Sequence, residues 1–356
     1  MSERPSFGRV ETLLAEMVAA GVASSAVGLV ATADEVLWEG AVAADVTTRF
    51  DYASLTKPFV ATLALTLDTS GVLPLVTRIG DVWPRAHPAL AGRPLSDLLR
   101  HRSGLAAWTP IYHRCRSVEE AVGLILAGGE QGDLLGARVG TYSDLGYILW
   151  AQAAEIVTGT PLAALLEVRV LAPLGLASVE PTPGDRPDIA RSHMGTGQEV
   201  KLAAKQGFVV PDLGPPTLGI PQDGNGRFLV GFGAGVCGHA GLFGGARDLW
   251  RLGVEWLAPG RLLKPEEVTA ALAGSGPFAL GWWRRTLRGS AGPALPSTAF
   301  GHTGFAGNSF WIDPEGRRVF VMLASRCDPA ADMNHWRRRF NSAAAWSILD
   351  VEREGV

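Results

Sequence analysis

Ser54 and Lys57 stand three residues apart in Asp51-Tyr-Ala-Ser-Leu-Thr-Lys-Pro-Phe59, at the start of an apolar run. On a helix, positions i and i+3 are neighbours, with Cβ atoms about 5–6 Å apart, so the hydroxyl and the amine face the same way. A serine becomes a useful nucleophile only when an adjacent group takes its proton. A lysine can take it only when burial or nearby positive charge disfavours the ammonium form. The run from Phe59 to Leu67 is a candidate source of that burial. The plainer alternative stays open: Ser54 as a helix N-cap and Lys57 as a solvated first-turn residue. The chain has four lysines, at 57, 201, 205 and 264. With serine at roughly 7% of ordinary residues, one of them completes such a pair by accident about one time in four. The pair alone is weak support for catalysis.

Two later stretches carry further candidates. In Gly140-Thr-Tyr-Ser-Asp-Leu-Gly146, Tyr142 and Asp144 lie just ahead of an expected helix. A phenol there could relay protons if a neighbouring lysine depressed its pKa. Alternatively, Asp144 caps the helix and Tyr142 packs on it. Gly301-His-Thr-Gly-Phe305 enters an expected strand, and glycines at 301, 304 and 307 let backbone approach a ligand closely. His302 and Thr303 could bind a carboxylate or move a proton, and nearby backbone N–H groups could hold an oxyanion. The alternative is an ordinary turn with His302 on the surface.

Other chemistries find less support. The seven histidines (87, 101, 113, 193, 239, 302 and 335) show no H-E-x-x-H or similar spacing. Cys115, Cys237 and Cys327 are widely spaced, without metal-ligand spacing, so no metal or other cofactor is expected. The glycine-rich segment 231–241 contains G-x-G fragments but lacks the strand–turn–helix and distal acid of a dinucleotide site. With 19% charged residues and a net charge of −3, no nucleic-acid partner is expected. The cluster Arg337-Arg338-Arg339 reads as the solvated face of an amphipathic terminal helix. Glu3, Glu11 and Glu16 break up any leader peptide, and no run reaches the about 18 apolar residues of a membrane span. Free thiols and these absences together give a cytoplasmic expectation, with no membrane partner.

The elements that must position these residues follow from periodicity. Helical apolar spacing covers 9–20, stopped by Gly21, and strand-like runs follow at 25–31 and 36–43. A helix is expected from about Ser54 to Thr69, and others at 94–100, 118–126, 145–157, 162–171 and 246–256. The interval 173–235 is rich in proline and glycine and reads as loops that shape a pocket. Strand character returns at 278–286, 309–312 and 318–324, the last two flanking the turn Asp313-Pro-Glu-Gly316, and a final helix covers about 334–351. The fold class is therefore α+β: an antiparallel sheet built from both chain ends, flanked by helices, plus a mainly helical inserted region. The expected organisation is one catalytic domain, with its α/β part at about 1–70 and 275–356 and its helical and loop part at about 71–274.

In order and spacing, Ser54-Leu-Thr-Lys57, Tyr142-Ser-Asp144 and His302-Thr-Gly304 resemble the S-x-x-K, Y-x-N and K/H-T-G motifs of the serine β-lactamase and penicillin-binding superfamily, in its class C-like branch. Leu98-Leu-Arg-His-Arg-Ser-Gly-Leu105 and Gly238-His-Ala-Gly-Leu-Phe243 are similar to further segments of that family, and the likeness covers about 10–350. The resemblance implies the superfamily's fold, with the site in the cleft between sheet and helical region. Ser54 would be acylated, Lys57 would accept its proton, and Tyr142 would pass that proton to the leaving group. The oxyanion hole would be the backbone N–H groups of Ser54 and Phe305. His302, Thr303 and Gly304 would contact the carboxylate or polar end of a small-molecule or short-peptide substrate. His101 and His239 would be structural, holding loops near the cleft.

Two departures bear on activity. Asp144 replaces the usual asparagine, and an aspartate near Lys57 favours the charged lysine, so it either contacts substrate or orients the base. His302 replaces lysine, which argues against efficient β-lactam hydrolysis. The phrases at 223–228, 238–243 and 301–316 look most like relatives linked to cell-wall turnover, including enzymes that cut the amide between N-acetylmuramic acid and L-alanine. The alternatives are a carboxypeptidase, a family VIII-type carboxylesterase or acyltransferase, and a non-catalytic ligand-binding relative.

Overall fold

The computed structural model of the protein describes residues 5–231 and 235–354. Glu3 and residues 232–234 of the glycine-rich segment lie outside them. Nine strands are described: β1 (Ala23–Thr32), β2 (Val36–Val42), β3 (Phe50–Asp51), β4 (Glu180–Pro181), β5 (Leu242–Gly244), β6 (Trp283–Arg284), β7 (Phe300–Thr303), β8 (Ser309–Asp313) and β9 (Arg318–Arg326). The described helices of eight residues or more are α1 (Gly8–Ala19), α2 (Thr56–Thr69), α3 (Val118–Leu126), α4 (Asp144–Thr158), α5 (Gly197–Lys205), α6 (Ala246–Leu257), α7 (Pro265–Leu272) and α8 (Met333–Glu354).

Both chain ends build one antiparallel six-stranded sheet in the order β2-β1-β9-β8-β7-β6. β1 and β9 are central and buried on both faces, which is why their sequences are apolar almost throughout. The amphipathic α1 presents Val10, Leu13, Leu14 and Met17 to the sheet's outer face, where they meet Phe340 and Ala344 of α8. On the inner face, α6 packs against the sheet, and a continuous apolar core runs on into the helical region through α2 and α4. β3, β5 and β4 form a small second sheet beside the cleft.

α2 is buried around nearly its whole circumference, from Thr56 to Leu65, so a polar side chain in its first turn has no route to bulk water. That central position is what buries Lys57.

The expected elements are largely present, with four corrections. The apolar run 278–286 forms only the two-residue β6. Gly281 at φ +81° breaks it, and Trp282 turns into the inner core. The interval 173–235 carries α5 and a short helix at Gly224–Leu229, because Asp223 caps the latter through Gly226 N–H (2.6 Å). The helical run 162–171 divides into Leu162–Leu166 and a wider π turn at Glu167–Leu171. Arg337 is not on a solvated face. It is 8% exposed and points into the protein, whereas Arg338 and Arg339 sit at the surface, near Asp332 and Glu16. Among the described residues, no single helix is long and apolar enough to cross a membrane.

Candidate active site

Ser54 lies on a short 3₁₀ turn, Ala53–Leu55, that leads into α2. The preceding Ala53 has φ +48°, a left-handed conformation that costs a non-glycine residue roughly 1–2 kcal/mol. Asp51 holds it there: its carboxylate accepts from Ala53 N–H (2.8 Å) and from Gln222 N–H (2.7 Å). Burial pushes Asp51 up to about 6, and the two backbone donors act against that rise. The nucleophile candidate is thus presented on a strained turn, not as an N-cap. No side-chain capping bond is made at the start of α2.

Lys57 Nζ sits 2.8 Å from Ser54 Oγ and 3.3 Å from the carbonyl oxygen of His239. It is also 2.7 Å from Asp144 Oδ1, an ion-pair distance, although the angles there are not those of a hydrogen bond. The Tyr142 and Tyr147 rings flank the ammonium, with centroids 4.9 and 5.4 Å away. Asp144 opens α4 but spends its carboxylate on Lys57, not on capping the helix.

Tyr142 is half-buried beside this pair. Burial, and then the Asp144 carboxylate, push its phenol well above the usual value; a hydrogen bond with Ser54 acts the other way without compensating. The expectation that a neighbouring lysine depresses the phenol is therefore corrected, because burial, reinforced by the Asp144 charge, disfavours the phenolate. The resting phenol is a proton-bearing donor.

His101, in Leu98–Leu105, sets the position of this segment. Its Nδ1 accepts from Ser143 N–H (2.9 Å), its ring lies 4.5 Å from that of Tyr142, and Ser143 Oγ donates to Ala106 O (2.7 Å). Burial and the Lys57 charge hold His101 down at about 3, so it is a neutral acceptor. His239 is structural in a different way. Its Nε2 is 2.9 Å from Asp223 Oδ1, while its own carbonyl meets Lys57. Burial works against its protonation, but Cys237 and Asp223 outweigh it and leave His239 well above its usual value.

The third motif ends β7. His302 is 2% exposed, not on the surface, and its Nδ1 accepts from the Thr303 N–H (3.0 Å). Burial, followed by the Lys57 charge, pushes it well below its usual value, so its ring is neutral. Thr303 is half-buried at the strand end. Gly304 begins the turn to β8 and comes so close to Tyr52 that an added Cβ would lie 2.7 Å from the Tyr52 carbonyl oxygen. Asn308 ties the far side of that turn to Asp51 O (2.8 Å) and Tyr52 O (3.3 Å). Arg337 reaches in from α8, donating to Gly304 O (2.7 Å) and Asn308 O (3.0 Å). Phe305, between these anchors, is therefore held beside the Ser54 turn, and its N–H has no protein acceptor among the described residues.

Ser54, Lys57, Tyr142 and Asp144 are in mutual contact, and His302 joins them through its ring, 6.0 Å from that of Tyr142. Asp51, Asn308, Arg337 and the His239 carbonyl complete the surroundings and have no signature in local sequence. The left-handed Ala53 is the one of these features with a hint, in the Asp51 two residues before it.

The family model for beta-lactamase matches residues 10–345. The "Putative D-alanyl-D-alanine carboxypeptidase" of Escherichia coli (strain K12) is 30% identical, covering 83% of this chain and 74% of its own. The N-acetylmuramyl-L-alanine amidase of Bacillus subtilis (strain 168) is 28% identical, over 78% and 68%. Among solved structures, EstCE1, a hydrolase with promiscuous acyltransferase activity, shares the fold with a TM-score of 0.74 at 19% identity, over 95% and 97% of the two chains. A penicillin-binding protein homolog from Caulobacter crescentus shares it with a TM-score of 0.73 at 20% identity, over 96% and 97%. Motifs, fold and relatives agree, and the chain belongs to the beta-lactamase family of serine hydrolases.

Proposed function

We propose that this hydrolase cleaves an amide or ester through a covalent acyl-enzyme on Ser54, and that its substrate is a muropeptide cut at the N-acetylmuramyl–L-alanine amide or a neighbouring bond. The observation that carries the reading is the contact chain Ser54 Oγ–Lys57 Nζ–Asp144 Oδ1, at 2.8 and 2.7 Å. Lys57 and Asp144 together are neutral whichever of them holds the proton. Once a side-chain rotation aligns the two, moving it from Nζ to Oδ1 leaves a free amine against the Ser54 hydroxyl without separating charge in a buried site. Ser54 then attacks the scissile carbonyl and gives its proton to Lys57. The tetrahedral oxyanion is received by the Ser54 and Phe305 N–H groups. Tyr142, held as a neutral phenol, donates to the leaving group and is reprotonated from Lys57; the reverse sequence with water releases the acyl group.

The substrate reading draws on the names of the two curated relatives, both of peptidoglycan chemistry. A cytoplasmic site of action, on imported wall fragments, fits the three unpaired cysteines, two of them buried. The test is fluorophosphonate labelling followed by peptide mapping, and then hydrolysis of muramyl peptides, short-chain esters and a chromogenic β-lactam. Ser54 labelling with muramyl-peptide turnover is expected. An unlabelled Ser54 in folded protein removes the nucleophile assignment, and turnover confined to esters removes the muropeptide assignment.

A further inference from the structure

The charges around Ser54 are already spoken for. The Lys57 ammonium lies against Asp144 at 2.7 Å and contacts two further oxygens, of Ser54 and His239. His239 is paired with Asp223. At the third motif, where a cation would ordinarily hold an anionic substrate group, stands the neutral ring of His302. The other cation acting on that ring is Arg337, which is buried and spends its donors on Gly304 O, Asn308 O and Asn334 Oδ1. Beside His302 the wall is aromatic. Trp283 lies 5.4 Å from the Tyr142 ring, 4.8 Å from Phe278 and 6.2 Å from His302, and its buried Nε1–H has no partner.

A carboxylate next to the scissile bond would lose its hydration here beside the carboxylates of Asp144 and Asp223, while Lys57, His239 and Arg337 are already engaged. A neutral amide or a ring at the same place would lose little. Its flat face has the half-buried Trp283 ring, backed by Phe278, to pack on. We infer that this site selects substrates whose scissile bond is flanked by uncharged groups, an internal amide or a neutral ester, and discriminates against a terminal bond whose leaving group carries the free carboxylate. The inference rests on Ser54 being the residue acylated.

The test uses two acetyl donors that differ only in this charge, 3-acetoxybenzamide and 3-acetoxybenzoate, at pH 7.5. Acetylation of Ser54 is followed by intact mass and peptide mapping. The carboxamide is expected to acetylate Ser54 at least about tenfold faster, after correction for the two esters' spontaneous hydrolysis. Equal rates, or a faster carboxylate, overturn the inference and leave Ser54 as nucleophile. Acetylation elsewhere with none at Ser54 overturns the nucleophile assignment as well, so the two failures are distinct. Asp144→Asn supplies a second reading, since it removes the charge that balances Lys57. Because the readout is a ratio of two donors on one variant, a general loss of activity cancels. The ratio should move at least threefold toward the carboxylate; an unmoved ratio overturns the charge-balance argument.

Discussion

Arg337→Met separates what holds the protein together from what holds its oxyanion hole. The parent guanidinium makes two bonds to the β7–β8 turn, to Gly304 O and Asn308 O, each worth about 1.5–3 kcal/mol as charge-assisted bonds, so roughly 3–6 kcal/mol in all. Against this stands its burial. Desolvation, and then the nearby Arg326, push Arg337 down to about 9, which corresponds to a cost on the order of 5 kcal/mol for keeping the charge inside. Methionine fills much of the same volume, removes that cost and loses the bonds. The terms nearly cancel, and unfolding stability should change by no more than about 3 kcal/mol. Activity should not be spared. With Gly304 O released, the Phe305 N–H loses its fixed place beside Ser54, and losing one oxyanion donor costs about 10²–10³ in kcat. Ester hydrolysis would be measured as kcat and KM separately, alongside urea unfolding. The expected pattern is a large fall in kcat, little change in KM and modest destabilisation. If kcat stays within about threefold of the parent, either Phe305 N–H is not an oxyanion donor or Arg337 does not position it.

Ser54→Ala should abolish turnover and leave the urea midpoint nearly unchanged; near-parent activity on the best substrate would remove Ser54 as nucleophile. Asp144→Asn keeps the shape but cannot take a proton from Lys57, so kcat should fall about tenfold or more, and an unchanged kcat would show the carboxylate to be incidental. His101 stays unprotonated down to about pH 3 in the folded protein, whereas an unfolded chain takes the proton near 6.5. Stability should therefore be lost as pH falls from 6.5 toward 3, by several kcal/mol, and His101→Gln should flatten that acid limb in urea titrations. Burial and Asp223 raise Glu199 to about 8, so its folded form prefers the proton, and stability should fall as pH rises from about 4.5 to 8. Glu199→Gln should accordingly gain on the order of a few kcal/mol relative to parent between pH 5 and pH 8. A constant difference across that range would show that Glu199 does not hold the proton in the fold.

The reacting groups were legible because each motif is local. Ser54 with Lys57, Tyr142 with Asp144, and His302 with Thr303 are each set by one helix turn or one strand end. Their supports were not, because they are made across the chain. Asn308 reaches Asp51 over 257 positions, Lys57 reaches the His239 carbonyl over 182, and no periodicity encodes either contact. Arg337 shows why composition misleads. Three consecutive arginines span about 200° of a helix, which a solvated face can hold, so tertiary packing alone decides that Arg337 turns inward and finds carbonyl partners there. The sign of the Tyr142 shift was likewise out of reach, since it is set by burial that only the folded chain creates, reinforced by Asp144.

The pairing of β1 with β9 sets a timetable for synthesis. β1 leaves the ribosome early, yet its neighbour β9 is the last of the described strands to be made, roughly 15–60 s later at about 5–20 residues per second. Through that interval β1 and β2 form at best a hairpin with one open apolar edge, and the helical block must gather without the sheet it packs on. The turn bearing Phe305 also arrives before the Arg337 that fastens it. Nascent chains of this enzyme should therefore be inactive and dependent on holding chaperones until α8 emerges, and catalytic competence should appear in one late step.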